Sequence, residues 1–323
     1  MAAGMAVTMP GTGRRLLLPD FVVIGGPKCG THWLNECLRE HPEIDVTPDV
    51  HEIFFFDRYF DRGLEWYAHY FRGCTGDHYF RGCTGDHPIG DVTPTYLANP
   101  LAAQRLADVL PAATLLVCLR NPVERAWSHY LHLWRKGDLP RDCDFRTACE
   151  LAPQILTDGE FFRCLQPWLA RFPAEQLHFL VLDDAKRDSA AYLRRVYEIL
   201  GVSRDFIGPH TATRTNQHQS PRSLGLARVA FRVSRWLHAR GWHGGVELGK
   251  RLGLRRMVLQ DGHDPDRDPA PPKAADRTWL ADHFRDDVTH LSELLGRDLV
   301  RLWLADAPSL PPRAAGGGQL QRR

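Results

Sequence analysis

One short stretch of this chain, Gly25-Gly26-Pro27-Lys28-Cys29-Gly30-Thr31-His32-Trp33, concentrates the groups needed to hold an anion. Gly and Pro permit a tight loop whose N–H groups turn inward, and a helix starting at its end adds partial positive charge. Lys28 brings a full charge to the same place, while Thr31 and His32 bring side-chain donors. The Gly25-to-Gly30 spacing fits a Walker A loop, but Thr31 stands where that pattern needs its Lys, and Lys28 lies inside the loop instead. The expected ligand is a phosphate-like nucleotide group held differently from Mg-ATP.

Two other positions have reactive character. In His51-Glu52-Ile53-Phe54-Phe55-Phe56-Asp57 a carboxylate abuts an apolar run. At the edge of a core Glu52 would lose water, its pKa would rise, and it would become a usable base. A helix-capping or ion-paired Glu would read the same way. Arg120 ends the apolar run 114–119, and Ser128 stands about two turns into the helix that follows. Arg is the natural bidentate partner of a phosphate.

These residues need elements to hold them. The β-branched run 21–24 suits a buried parallel strand. Thr31 can cap the helix that follows, whose apolar positions 33, 34, 37 and 38 fall on one face. A strand over 89–92 broken by Pro94 places Asp91 and Thr93 at a strand C-terminus, where open α/β sheets bind ligands. The pattern further predicts helices from 63, over 99–110, 123–136, 158–172, 190–200 and 279–304, and strands over 114–119 and 177–182. Residues 69–77 are repeated at once as 78–86, too short a unit to be a folding repeat, and read as a duplicated surface loop. The polar loop 211–223 contains Arg214 and Arg222. Residues 222–256 are basic, with Glu247 the only acid and Trp236 and Trp242 interleaved. A solvated face is the default there, and a clamp for an anionic or lipid-linked acceptor the alternative. A Pro/Asp-rich loop follows over 261–276. Residues 1–18 are expected to be a flexible N-terminus and 308–323 a disordered tail, leaving one domain over 19–307.

The chain has 323 residues, 43% hydrophobic and 25% charged, with a net charge of +2. That is ordinary globular composition and gives no nucleic-acid signature, so an anion site must be local. No apolar run is long enough for a signal peptide or membrane span. The eight cysteines form no CxxC pair and several fall in apolar runs, which points to free thiols in a reducing, cytoplasmic setting and against zinc.

The pair GGPKCGTHWL and LRNPVERAWSHY resembles the two nucleotide-binding motifs of sulfotransferases that use 3′-phosphoadenosine-5′-phosphosulfate (PAPS) and release PAP. HEIFFFDRYFDRGLEWY resembles the KExHFFD…GxEWY segment of the heparan-sulfate and bacterial carbohydrate-type branch, and GDVTPTYL its EKTPxY segment. The order holds over 20–133 and continues more loosely through WLARFPAEQLHFLVLDD and YEILGV. The duplication falls between two of these matches, as an insertion would.

The resemblance implies a P-loop-like α/β fold, a three-layer sandwich with a central parallel sheet. Gly26, Pro27, Lys28, Cys29, Gly30, Thr31, His32 and Trp33 would hold the 5′-phosphosulfate, Arg120 and Ser128 the 3′-phosphate, and Arg222 or Arg214 would close over the nucleotide. Glu52 matches the family's base, and Lys28 would neutralise charge on the departing phosphate, with His51 or His32 assisting. The implied reaction is metal-independent in-line transfer to a hydroxyl or amine of a small-molecule, glycan or lipid-linked acceptor, by a monomer or a homodimer. Three positions depart from the family pattern: His51 and Val92 replace lysines and Phe54 replaces a histidine. All three lie on the acceptor side, which argues against a long polyanionic acceptor. The alternatives are a P-loop kinase or nucleotidase and a silent nucleotide-binding module. The high Arg, Ala and Pro usage suggests a bacterial source and specialised metabolism.

Overall fold

The computed structural model describes residues 5–8, 15–47, 50, 52–71, 87–211, 219–221, 259–261, 269 and 272–305. The N-terminus departs from expectation. β1 (Met5–Thr8) and β2 (Arg15–Leu18) pair as an antiparallel hairpin, and Leu16 and Leu18 are buried in the core. The run of three leucines, too short to cross a membrane, is instead apolar surface for this core. Most of the duplicated loop (72–86) and most of the basic segment lie outside the described residues, as does the tail.

β3 (Phe21–Gly25) is buried along its whole length, as its unbroken apolar run requires of a strand covered on both faces. It leads through the glycine loop into α1 (Thr31–Glu40) and then the short β4 (Asp45–Val46). α2 (Phe55–Arg58) and α3 (Leu64–His69) follow, then β5 (Ile89–Val92), α4 (Pro100–Val109), β6 (Thr114–Leu119) and α5 (Pro122–Lys136). Asn99 and Asn121 cap α4 and α5, each accepting two backbone N–H groups ahead of a proline. β7 (Leu177–Val181) completes the sheet after α6 (Phe145–Leu151), α7 (Gln154–Thr157) and α8 (Phe161–Leu169).

The five strands are all parallel, in the order β4-β5-β3-β6-β7. The expected α/β fold with a central parallel sheet is therefore observed. Parallel pairing brings the loops after β3, β5 and β6, the three middle strands, to one edge of the sheet. The glycine loop, residues 93–97 and Arg120 all leave from that edge.

Two expected helices have other bounds. The helix expected over 158–172 is the shorter α8 and starts after Gly159, where a Cβ would lie 2.9 Å from Arg125 Nε and 3.1 Å from the Phe284 ring. The segment 279–304 starts earlier and splits into α11 (Ala274–Leu295) and α12 (Leu299–Leu304), after α9 (Leu182–Arg187) and α10 (Ser189–Leu200). Gly296, with φ 59°, ends α11 in the left-handed conformation, and Asp298 caps α12 through Arg301 N. Leu280, Phe284, Val288 and Leu291 of α11 join the same core as the sheet.

Phe21 and Gly90 are in register on β3 and β5, and the ring lies against the glycine. A Cβ at Gly90 would sit 2.1 Å from Phe21 Cζ, and the ring is buried with no room to withdraw. Gly90→Ala should lower stability by about 1–3 kcal/mol through overpacking. An unchanged midpoint in urea unfolding would show that the ring moves freely.

Candidate functional site

The glycine loop is built by backbone conformation. Lys28 (φ 69°) and Gly30 (φ 85°) are both left-handed, and Gly30 N-caps α1 with no side-chain cap. Thr31, expected to cap, is the first residue of the helix and is buried. The helix ladder starts with Leu34 N donating to Gly30 O, so the first-turn amides point out of the helix end. Gly26 N donates to Cys118 O, and Cys29 N to Gly26 O, fixing the loop to the end of β6.

Lys28 is half-buried, and Arg120 Nη1 donates 3.1 Å to its carbonyl oxygen, so the guanidinium clamps the loop from beneath. Loss of water, then repulsion from Arg120, pulls the Lys28 ammonium down to about 8, while Glu52 partly offsets this. Cys29 contributes only backbone. Its thiol is buried, its Sγ faces Pro27 O, and burial pushes its pKa up to about 12.

Glu52 lies across from Lys28, close enough that each charge alters the other's proton affinity. Burial pushes the Glu52 carboxyl up to about 7 against the pull of Arg58, Lys28 and Lys136. The edge-of-core reading of Glu52 is thus what the structure shows. Phe55 and Phe56 are buried, and Phe55 stacks on Tyr67 at 4.3 Å. Phe54 is only half-buried, left-handed at φ 57°, and covered by the Arg58 guanidinium 4.1 Å from its ring centroid.

Arg120 leaves the end of β6 just before α5, and Glu124 of that helix holds it. Arg120 Nη2 and Nε donate to Glu124 Oε2 at 3.1 and 3.3 Å, and Ser128 is one helical turn beyond Glu124. Lys186 donates to the same carboxylate oxygen at 3.0 Å. His32 is exposed at the helix start. Trp33 turns away from the loop: its indole donates to His210 O at 3.0 Å and its ring lies 5.7 Å from Tyr192. His51, Arg214 and Arg222 lie outside the described residues.

Asp91 and Thr93, expected at the ligand mouth, are instead fully buried and bonded inward. Sequence reasoning also passed over Arg135 and Lys136. Both lower the Lys28 pKa, and Lys136 also acts on Glu52. The spacing 124, 128, 131, 135 along one helix face carried that signal for Arg135.

With this geometry in hand, comparison with known proteins is decisive about class. The sulfotransferase domain family matches residues 18–221, and the chain belongs to that family. It is 40% identical over 122 residues to the membrane-associated sulfotransferase kil1 of Dictyostelium discoideum, covering 38% of this chain and 24% of that one. It is 32% identical over 222 residues to mouse heparan sulfate glucosamine 3-O-sulfotransferase 3A1, covering 64% of this chain and 53% of that one. The chain therefore spans about a quarter and about half, respectively, of these two relatives. A sulfotransferase structure from Alicyclobacillus acidocaldarius superposes with TM-score 0.60 at 25% identity, over 89% of this chain and 99% of that one.

A carboxylate whose pKa is raised by burial destabilises the fold once it must ionise. The cost is absent at low pH, develops between the ordinary Glu range and about 7, and is constant above that. Glu52→Gln should therefore match wild-type stability near pH 4 and exceed it at pH 8, by up to about 3 kcal/mol. Equal thermal melts at both pH values would show that Glu52 is well solvated.

Proposed function

We propose that this protein transfers a sulfuryl group from PAPS to a hydroxyl or amine of a small-molecule or glycan acceptor. The observation that carries the reading is the opposition of Lys28 and Glu52 across the donor loop, one cation and one carboxylate, both titrating near neutrality. The residues fit the nucleotide. The end of a ten-residue helix, Lys28 and Arg120 converge on one edge of the sheet, as an anion requires. When bound, PAPS supplies an activated sulfuryl group on a phosphate leaving group.

Glu52, ionised above about 7, would take the proton from the acceptor. Lys28, protonated below about 8, would place its charge where negative charge develops on the leaving side. The first-turn amides of α1 would hold the 5′ side, and Arg120 with Ser128 the 3′-phosphate, with Glu124 yielding part of its hold on the guanidinium. His51, beside the base, is assigned an assisting role. As in phosphoryl transfer, positioning and charge stabilisation would supply most of the rate.

The name of the mouse relative specifies heparan sulfate, but Phe54 and the buried Val92 stand where that branch has polar or cationic groups, which favours a less charged acceptor here. A reducing cytoplasmic setting fits the six described cysteines, all free and buried. Among the described residues no helix is long and apolar enough to cross a membrane.

PAP should stabilise wild type against heat, by about 2.7 kcal/mol at a hundred times its dissociation constant, and should not stabilise Lys28→Ala. Stabilisation only by ATP or ADP with magnesium would sink the reading. With an acceptor in hand, turnover should rise as Glu52 ionises near pH 7 and fall as Lys28 loses its proton near pH 8, giving a narrow bell. Glu52→Gln should be nearly inactive while still binding PAP; retained turnover would remove Glu52 from the base role.

A further inference from the structure

We propose that Asp91, acting through Thr93 and Tyr96, is the positioning group that fixes the Glu52 segment against the donor-loop strand. This rests on the sulfuryl-transfer reading and adds to it residues that touch neither nucleotide nor acceptor. The geometry is closed on both sides. Asp91 Oδ1 accepts from the Thr93 hydroxyl at 2.7 Å, and Oδ2 accepts from the Tyr96 and Tyr67 hydroxyls at 3.0 and 2.8 Å. The same two hydroxyls turn their lone pairs to the segment next to Glu52. Thr93 Oγ1 accepts from Ile53 N at 3.2 Å, and the Tyr96 oxygen accepts from Phe55 N at 2.9 Å and Phe56 N at 3.4 Å.

The other side of this hub is the donor-loop strand. Asp91 is in register with Val22 of β3. Thr93 N donates to Val23 O at 3.1 Å and Leu97 N to Ile24 O at 2.7 Å, immediately before the glycine loop. A single carboxylate therefore measures the offset between the element carrying Lys28 and the element carrying Glu52. Residues 52–54 belong to no helix or strand, so backbone ladders do not hold them.

A filler role explains this arrangement poorly. Asp91, Thr93, Tyr67 and Tyr96 are all fully buried, and burial raises the Asp91 carboxyl to about 6 despite its three donors. Apolar side chains would stabilise such a site better, whereas a saturated polar network fixes one geometry. Phe54, left-handed between the two anchored amides of Ile53 and Phe55, is the conformation this anchoring imposes.

The decisive comparison is Thr93→Ser, which keeps the hydroxyl, against Thr93→Val, which keeps the shape and loses it. Tyr96→Phe serves as a second probe, and Asp91→Asn is informative where it folds. With an acceptor identified by screening, Thr93→Ser should keep wild-type kcat. Thr93→Val and Tyr96→Phe should lose on the order of tenfold to a hundredfold, the scale of a misplacement of about 1 Å. PAP affinity should stay unchanged, and amide exchange should quicken in 52–58 but not in 31–40. Equal kcat in Thr93→Val and Thr93→Ser, or PAP affinity falling in step with kcat, would overturn the proposal. Wild type that binds PAP yet transfers to no acceptor overturns the sulfuryl-transfer reading instead. The exchange rates then decide the positioning alone, with unchanged protection in Thr93→Val counting against it.

Discussion

The site depends on holding two opposite charges where water is scarce. Burial is the largest influence on both Lys28 and Glu52, and it moves them toward each other, one down to about 8 and one up to about 7. Their mutual attraction works in the other direction and loses. If attraction had won, both would be firmly charged, and Glu52 would be a weak base with its lone pairs committed to an ammonium. Because desolvation wins, each group is pushed toward neutral pH, as the proposed base and charge-stabilising roles require.

The parallel sheet is what makes the arrangement affordable. Only parallel strands send the loops after β3, β5 and β6 to one edge, so three stretches distant in sequence meet without long connections. The glycine loop comes with its own geometry, set by Lys28 and Gly30 in left-handed conformations and by the amide of Gly26 on Cys118 O. The Glu52 segment has no such internal frame and takes its geometry from β5 through Asp91. The two halves of the site are thus rigid for different reasons, one by backbone and one by buried side chains.

That difference explains what the sequence made legible. The donor loop could be read because its chemistry is local: a strand, a glycine run, a lysine and a helix within eighteen residues, from Asp20 to Cys37. Glu52 could be read as a raised carboxylate because the three phenylalanines beside it announce the core. The resemblance to the sulfotransferase motifs then linked stretches that spacing alone could not. Asp91 and Thr93 were misplaced at the ligand mouth because a strand C-terminus is where ligands bind in general, and only the fold shows that these side chains turn inward toward residues 53–56. Trp33 was assigned to the nucleotide by motif position, yet its indole is committed to His210. The hairpin of residues 5–8 and 15–18 left no signal, since Leu16 and Leu18 find their core only once the rest of the chain has built it.

The distribution of charge around the loop adds a last step. Arg120, Arg135 and Lys136 all lower the proton affinity of Lys28, so three cations act on the one ammonium of the loop. Glu124 relieves part of this by accepting from both Arg120 and Lys186 through one oxygen. A fold tolerates such crowding when something else is gained, and an anion held by the loop would neutralise the repulsion. Relief of that repulsion would favour binding of the highly charged donor proposed above. The net charge of only +2 means that this local positive charge is offset by carboxylates elsewhere in the sequence.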